Sequence, residues 1–290
     1  MKVGLQINQF NFEDGNKQIG PKVGELATAA DEAGFASIWV MDHFFQIQYL
    51  GPKTDPMLEA YTTLGYIAGR TKRARLGTMV TGVVYREPAV LIKAVTTLDV
   101  LSGGRAYFGI GAGWNEEEAI GLGLPRPLAG DRLVKLEETL KIAQQMWSGD
   151  TKPINGKEYR LQEPISSPQP VSKPYPPILI GGGGEQKTLR MVAQYGDACN
   201  LFAASDVAHK LDVLRKHCED LGRDYGRIEK TVLIQMDIAA AATNPDEVVK
   251  RATALAKLGI THIIFANGRD DNLAHYETIG SKLLPQLAKL

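Results

Sequence analysis

Four short stretches of the sequence hold residue types suited to chemistry. The first is Met41-Asp42-His43-Phe44-Phe45, just after an apolar run at 37–41. An imidazole beside a carboxylate titrates near neutral pH and can move a proton or bond a cofactor. The competing reading makes Asp42 a loop cap and His43 a surface residue. The second is Gly109-Ile110-Gly111-Ala112-Gly113-Trp114-Asn115, followed by Glu116, Glu117 and Glu118. Alternating glycines let a ligand approach the backbone, and Trp114 offers a flat apolar wall. Asn115 suits a helix cap, and the three glutamates read as surface residues matching the dipole of a first helical turn. The third is Gly181-Gly182-Gly183-Gly184 ahead of a helical pattern. Backbone N–H groups at such a helix start form a phosphate cradle, to which Lys187 and Thr188 add a charge and a hydroxyl. The competing reading is a flexible loop. It is not a Walker motif, because the Gly-Lys-Ser/Thr ending is absent. The fourth is Leu76-Gly77-Thr78-Met79-Val80-Thr81-Gly82, whose flanking glycines suggest a bulge or close backbone approach.

Other chemistries find little support. His209, His217, His262 and His275 fall in helices or at a strand start and read as structural or solvent-facing. The two cysteines, Cys199 and Cys218, make no disulfide framework and no thiolate zinc site. There is no HExxH pair and no G-x-S-x-G elbow. A phosphate cradle, a rim imidazole and aromatic walls suit a phosphate-bearing cofactor that does its own chemistry.

The elements that must position these residues alternate from end to end. Strand-like runs are expected at 2–8, 37–41, 75–80, 105–111, 177–180, 197–201, 231–238 and 262–266. Helical spacing occupies 17–33, 57–71, 89–101, 132–147, 186–195, 206–221, 245–258 and 272–290. Eight strands each followed by a helix is the count of an α/β chain closed into a (β/α)8 TIM barrel, with its active site where strands end. All four stretches lie at such ends. Segment 148–176 holds six prolines and reads as an insertion between the fourth helix and fifth strand, with a hairpin at Asn155-Gly156. Residues 1–290 are thus expected to form one domain. An open doubly wound sheet is the alternative, but the dinucleotide fingerprint is missing after the first strand.

The 33 basic and 33 acidic side chains cancel, which argues against a nucleic-acid partner. The start, MKVGLQINQF, lacks a signal-peptide core, and no window is apolar enough to span a membrane. Two reduced thiols in a cytoplasmic protein is the expectation.

The stretches GFASIWVMDHFF, LGTMVTG with YREPAVLIKAVTTLDVLSGGRAYFGIGAGWNEEE, and PPILIGGGGEQKTLRMVAQYGDACNLF together resemble the bacterial-luciferase-like superfamily. Within it they are similar to the coenzyme-F420-dependent oxidoreductases. The resemblance implies a luciferase-like barrel, often a homodimer, with a flavin or deazaflavin at the strand ends. It implies that Asp42 and His43 contact the ring, with His43 as proton donor or acceptor. It implies a bulge and a non-prolyl cis peptide at Met79-Val80, to within one residue, with Thr81 and Gly82 beside the cofactor. Ala112 and Gly113 match backbone contacts after the fourth strand. Gly183, Gly184 and Lys187 match the loop that holds the cofactor phosphate. One departure is that F420-dependent sugar-phosphate dehydrogenases carry a catalytic Glu where this chain has Trp114. That favours a small apolar or aromatic substrate, with Phe44, Tyr85 and Trp114 as walls. F420 implies hydride transfer. The alternatives are FMN with oxygen, as in a monooxygenase, and a non-catalytic flavin-binding protein.

Overall fold

A computed structural model describes residues 1–13, 15–204, 206–266 and 270–290. The strands are β1 (Lys2–Ile7), β2 (Ser37–Val40), β3 (Arg75–Thr78), β4 (Thr81–Gly82), β5 (Phe108–Gly111), β6 (Ile154–Asn155), β7 (Arg160–Leu161), β8 (Ile178–Gly181), β9 (Ala198–Phe202), β10 (Glu229–Gln235) and β11 (His262–Ala266). The helices are α1 (Asn16–Ala33), α2 (Ala60–Arg70), α3 (Pro88–Leu101), α4 (Glu116–Leu122), α5 (Ala129–Ser148), α6 (Thr188–Tyr195), α7 (Val207–Asp220), α8 (Ile238–Thr243), α9 (Pro245–Lys257), α10 (Leu273–Thr278) and α11 (Leu284–Leu287).

The main sheet runs β3-β2-β1-β11-β10-β9-β8-β5-β4, and every named pairing in it is parallel. β3 and β4 are two halves of one barrel position, interrupted by the cis peptide Met79-Val80. β3 pairs with β2, and β4 pairs with β5. A parallel bridge between Leu76 and Ala106 completes the circle. The eight barrel positions are therefore filled, and the fold is the luciferase-like TIM barrel expected from the alternation.

The strands are short and buried on both faces, as parallel strands flanked by helices must be. Outward side chains such as Leu5, Ile38, Ile263 and Phe265 pack beneath the helices. Inward ones, Trp39, Tyr107, Leu179, Ala198 and Ile264, fill the barrel axis together with Met79. Trp39 needs room, and Gly77 supplies it: a Cβ there would stand 2.8 Å from the indole.

Polar groups close the bottom of the barrel. Glu229 accepts from Tyr107 Oη at 2.6 Å and Lys2 Nζ at 2.9 Å. Ser37 Oγ accepts from Trp39 Nε1 at 2.6 Å and bonds His262 Nε2 at 2.9 Å. Burial alone would raise the Glu229 carboxyl, but the His262 imidazole 3.5 Å away and the bonds from Tyr107 and Lys2 outweigh this and hold it far below the usual range. With this end closed, the open end must receive any ligand.

Several elements differ from the periodic expectation. The strand expected at 231–238 stops at Gln235, because Asp237 accepts from Ala240 N at 3.2 Å and starts α8. The fourth barrel strand is regular only from Phe108, not 105. α5 begins at Ala129, three residues before the expected start, and α6 at Thr188, two after it. The helix expected at 272–290 is three pieces, with a π-helical turn at Ile279–Leu283. Gly280 there packs against Ala33 of α1, and Pro285 lacks the N–H a continuous helix would use. Between α5 and β8, the antiparallel β6–β7 hairpin turns with Gly156 N–H on the Tyr159 carbonyl at 2.9 Å. Glu138 of α5 fixes it by accepting from the N–H groups of Lys157, Glu158 and Tyr159. Among the described residues, no helix is long and apolar enough to cross a membrane.

Candidate active site

At the C-terminal ends of the strands lies a cavity of about 280 Å³. Asp42, His43, Met79, Val80, Gly82, Tyr85, Ala112, Gly113 and Trp114 line it, together with Gly181 and Gly182, so the four stretches converge on one cavity. Thr81, Phe44, Gly183, Gly184 and Lys187 are outside its lining. Thr81 is buried beneath it, bonded to Tyr61 Oη at 2.8 Å and Thr78 Oγ1 at 2.9 Å. Phe44 turns away to pack against the Arg86 guanidinium, 5.8 Å from its ring centre, and edge-on to Tyr85. The chain turns at Gly182, whose φ of 124° suits glycine, and α6 starts only at Thr188. Gly182 and Thr188 therefore take the wall positions that Gly183, Gly184 and Lys187 were expected to hold.

His43 is the best-organised titratable group at this wall. Its Nδ1 lies 2.7 Å from Glu118 Oε1. The same carboxylate accepts from Phe44 N at 2.8 Å, Phe45 N at 3.3 Å and Tyr85 Oη. Burial alone would raise the Glu118 carboxyl, but these bonds, led by His43, outweigh it and hold it below the usual range. A carboxylate that accepts from every neighbour has no proton to give, so Nδ1 carries the hydrogen. Nε2 is then the ring atom left for a ligand, and it has no hydrogen-bond partner among the described residues. Trp114 stands edge-on to the imidazole, with ring centres 5.4 Å apart.

Glu118 is thus a functional candidate that the sequence reading had placed on the surface. Glu116 and Glu117 do face solvent, and Glu117 pairs with Lys53. Asn115 caps α4 by accepting from Glu117 N, which turns the third glutamate inward beneath His43. The signal was the cap: it fixes the helix phase, and with it the glutamate facing the rim.

Asp42 is not a free ligand for a cofactor. Arg86 grips both of its oxygens, at 2.7 and 2.9 Å, and also bonds Glu59, the N-cap of α2. Burial pushes the Asp42 carboxyl up, and the Arg86 fork opposes this. The same two carboxylates hold the guanidinium charged. The triad ties the loop after β2 to the start of α2 and so fixes the backbone that carries His43. Arg86 and Glu59 had no sequence signal beyond their charge.

The opposite wall bears amides that carry no sequence motif. Asn200 Oδ1 accepts from Thr231 Oγ1 at 2.8 Å, which commits its oxygen and leaves its NH2 for the cavity. Gln6 Nε2 bonds the Met79 carbonyl at 3.3 Å. Asn8, also in the lining, has a buried Oδ1 with no partner among the described residues.

The floor fits a flat ring. A Cβ at Gly111 would stand 2.8 Å from Val80 Cγ2, and one at Gly181 2.9 Å from it. Only glycines on these adjoining strands allow Val80 and the bare backbone to form one smooth surface. The open glycine turn at Gly182 and the Thr188 hydroxyl at the start of α6 suit a phosphate. Among the described residues, no group of three His, Cys, Asp or Glu side chains is placed to hold a metal ion.

The fold agrees with that of the solved structures this chain is similar to. The family model of the luciferase-like monooxygenases matches residues 1–280. The chain is 28% identical over 267 residues to the F420-dependent glucose-6-phosphate dehydrogenase of Kineococcus radiotolerans, covering 90% of this chain and 74% of that one. Among solved structures it is similar to an F420-dependent secondary alcohol dehydrogenase, with a TM-score of 0.81, 19% identity and coverage of 99% and 98%. It is also similar to the FMN-bound oxygenating constituent of 3,6-diketocamphane monooxygenase from Pseudomonas putida, with a TM-score of 0.77, 16% identity and 98% coverage of each chain. Deazaflavin- and FMN-using proteins thus share this barrel, and the chain belongs to the luciferase-like monooxygenase family.

Proposed function

We propose that the protein is an oxidoreductase that binds coenzyme F420 on the Val80 floor and transfers a hydride to or from a small uncharged substrate. The observation that carries this reading is His43, with Nδ1 held by a buried carboxylate and Nε2 left for the cavity. The bound deazaflavin supplies the two-electron chemistry. The chain supplies position, dryness and the proton. Glu118 keeps the imidazole in one tautomer, so Nε2 can take a proton from a substrate hydroxyl during oxidation. In reduction, the imidazolium returns that proton to the oxygen formed from a carbonyl. Tyr85 and Trp114 shield the imidazole on two sides, which strengthens its bonds to substrate.

The relative from Kineococcus is named for glucose 6-phosphate, but the cavity argues for a different substrate here. By resemblance, Trp114 stands where the F420-dependent sugar-phosphate dehydrogenases carry a catalytic Glu, and no Lys or Arg is among the described residues that line the wall. A sugar phosphate would bring a dianion to a wall of amides and aromatic rings. An uncharged alcohol or ketone suits it better. Parallel titrations with F420 and FMN, followed by oxygen uptake with reduced FMN, separate this reading from that of a monooxygenase.

A further inference from the structure

The cavity is small for what it must hold. Its volume of about 280 Å³ falls just below the roughly 300–1,000 Å³ usual for ligand pockets. One ring system fills most of that space. A cofactor ring on the Val80 floor therefore leaves the substrate's reacting oxygen inside, near His43, and the rest of the substrate at the mouth.

The mouth is unusually apolar. Tyr49, Trp114 and Phe202 are 67%, 58% and 65% exposed, and all three line the same cavity. They come from three different barrel units, the loops after β2 and β5 and the end of β9. Single exposed aromatics need no explanation, but three converging on one opening form a binding surface. The other two tryptophans, Trp39 and Trp147, are buried, so exposure at Trp114 is a local feature.

We infer that this aromatic collar binds an apolar extension of the substrate, so the substrate class is an alcohol or ketone bearing an alkyl chain or aromatic ring. The inference rests on the proposed function for the placement of the reacting oxygen. The phosphate-bearing part of the cofactor is not the collar's ligand, because an anion gains nothing from three aromatic faces.

The test uses the linear methyl ketones from butan-2-one to decan-2-one, with and without F420. Trp114, as the exposed tryptophan, reports their binding by its fluorescence. Affinity is expected to rise about threefold per methylene, the size for a CH2 leaving water onto a partly open surface. Trp114→Phe should remove the optical signal while calorimetry still shows the chain-length trend. Phe202→Ser and Tyr49→Ser, both at exposed positions, should each flatten the trend. A flat trend in the wild-type protein that binds F420 would overturn the collar, as would an unchanged trend in the serine variants. A rising trend in a protein that binds no F420 would instead overturn the cofactor reading and leave the collar standing.

Discussion

Glu118→Gln is the most informative single substitution. In the native site one carboxylate receives four donors: His43 Nδ1, Tyr85 Oη and the N–H groups of Phe44 and Phe45. The amide oxygen of glutamine can keep the two backbone bonds. Its NH2 then faces His43 and Tyr85, so a donor replaces the one oxygen that accepted from both. Each charge-assisted bond contributes roughly 1.5–3 kcal/mol, so with two bonds lost about 3–6 kcal/mol of local stabilisation is at risk. The imidazole can recover part of this by moving its hydrogen to Nε2 and accepting at Nδ1. That tautomer removes the base from the cavity. Loss of about 4 kcal/mol of transition-state stabilisation would lower turnover roughly a thousandfold, while F420 affinity should change little. The assay is a long-range proton–nitrogen NMR spectrum of the His43 ring, paired with turnover of any active substrate. Glu118→Asp should keep the native tautomer and recover part of the rate. An unchanged tautomer in the glutamine variant, with turnover within about threefold of wild type, would refute the reasoning.

Three further outcomes follow from the same geometry. Gly181→Ala places a Cβ 2.9 Å from Val80 Cγ2; stability should fall by about 1–3 kcal/mol by thermal melting, and F420 affinity should drop about tenfold as Val80 is pushed into the cavity. Glu229 has a folded-state pKa held far below the usual 4.5, so its stabilisation is present above that value and is lost as pH falls through and below it. Glu229→Gln should accordingly be about 3 kcal/mol less stable than wild type at pH 7, with the gap closing below pH 4.5 in acid-unfolding curves. Burial pushes the Cys199 thiol up to about 12, so iodoacetamide at pH 8.5 should leave Cys199 unmodified in the native protein and label it once denaturant is added, as read by mass spectrometry.

The barrel was legible because its signal is repeated. Eight apolar runs separated by helical spacing admit few other closures. His43, the Met79-Val80 segment and the Gly111–Gly113 turn were legible because strand ends in such a barrel face one opening. What escaped was pairwise. Three consecutive glutamates look alike in sequence, and only the phase of a seven-residue helix makes Glu118 the buried one. Arg86, distant from Asp42 in the chain, reaches it because the loop after β4 folds across the rim. Phe44 was expected in the wall, but its neighbour Arg86 offered a better partner than the cavity did. Of the glycine run, Gly181 and Gly182 reach the cavity and Gly183 and Gly184 do not, since α6 begins two residues later than its apolar spacing implied.

The central claim is that this cavity is built for a deazaflavin and a proton at His43. The most direct measurement is calorimetric titration of the purified protein with F420 and, separately, with FMN. A deazaflavin site gives micromolar or tighter binding of F420, at least tenfold weaker binding of FMN, and about tenfold weaker F420 binding in Gly181→Ala. Micromolar or tighter FMN binding with no measurable F420 binding would contradict it.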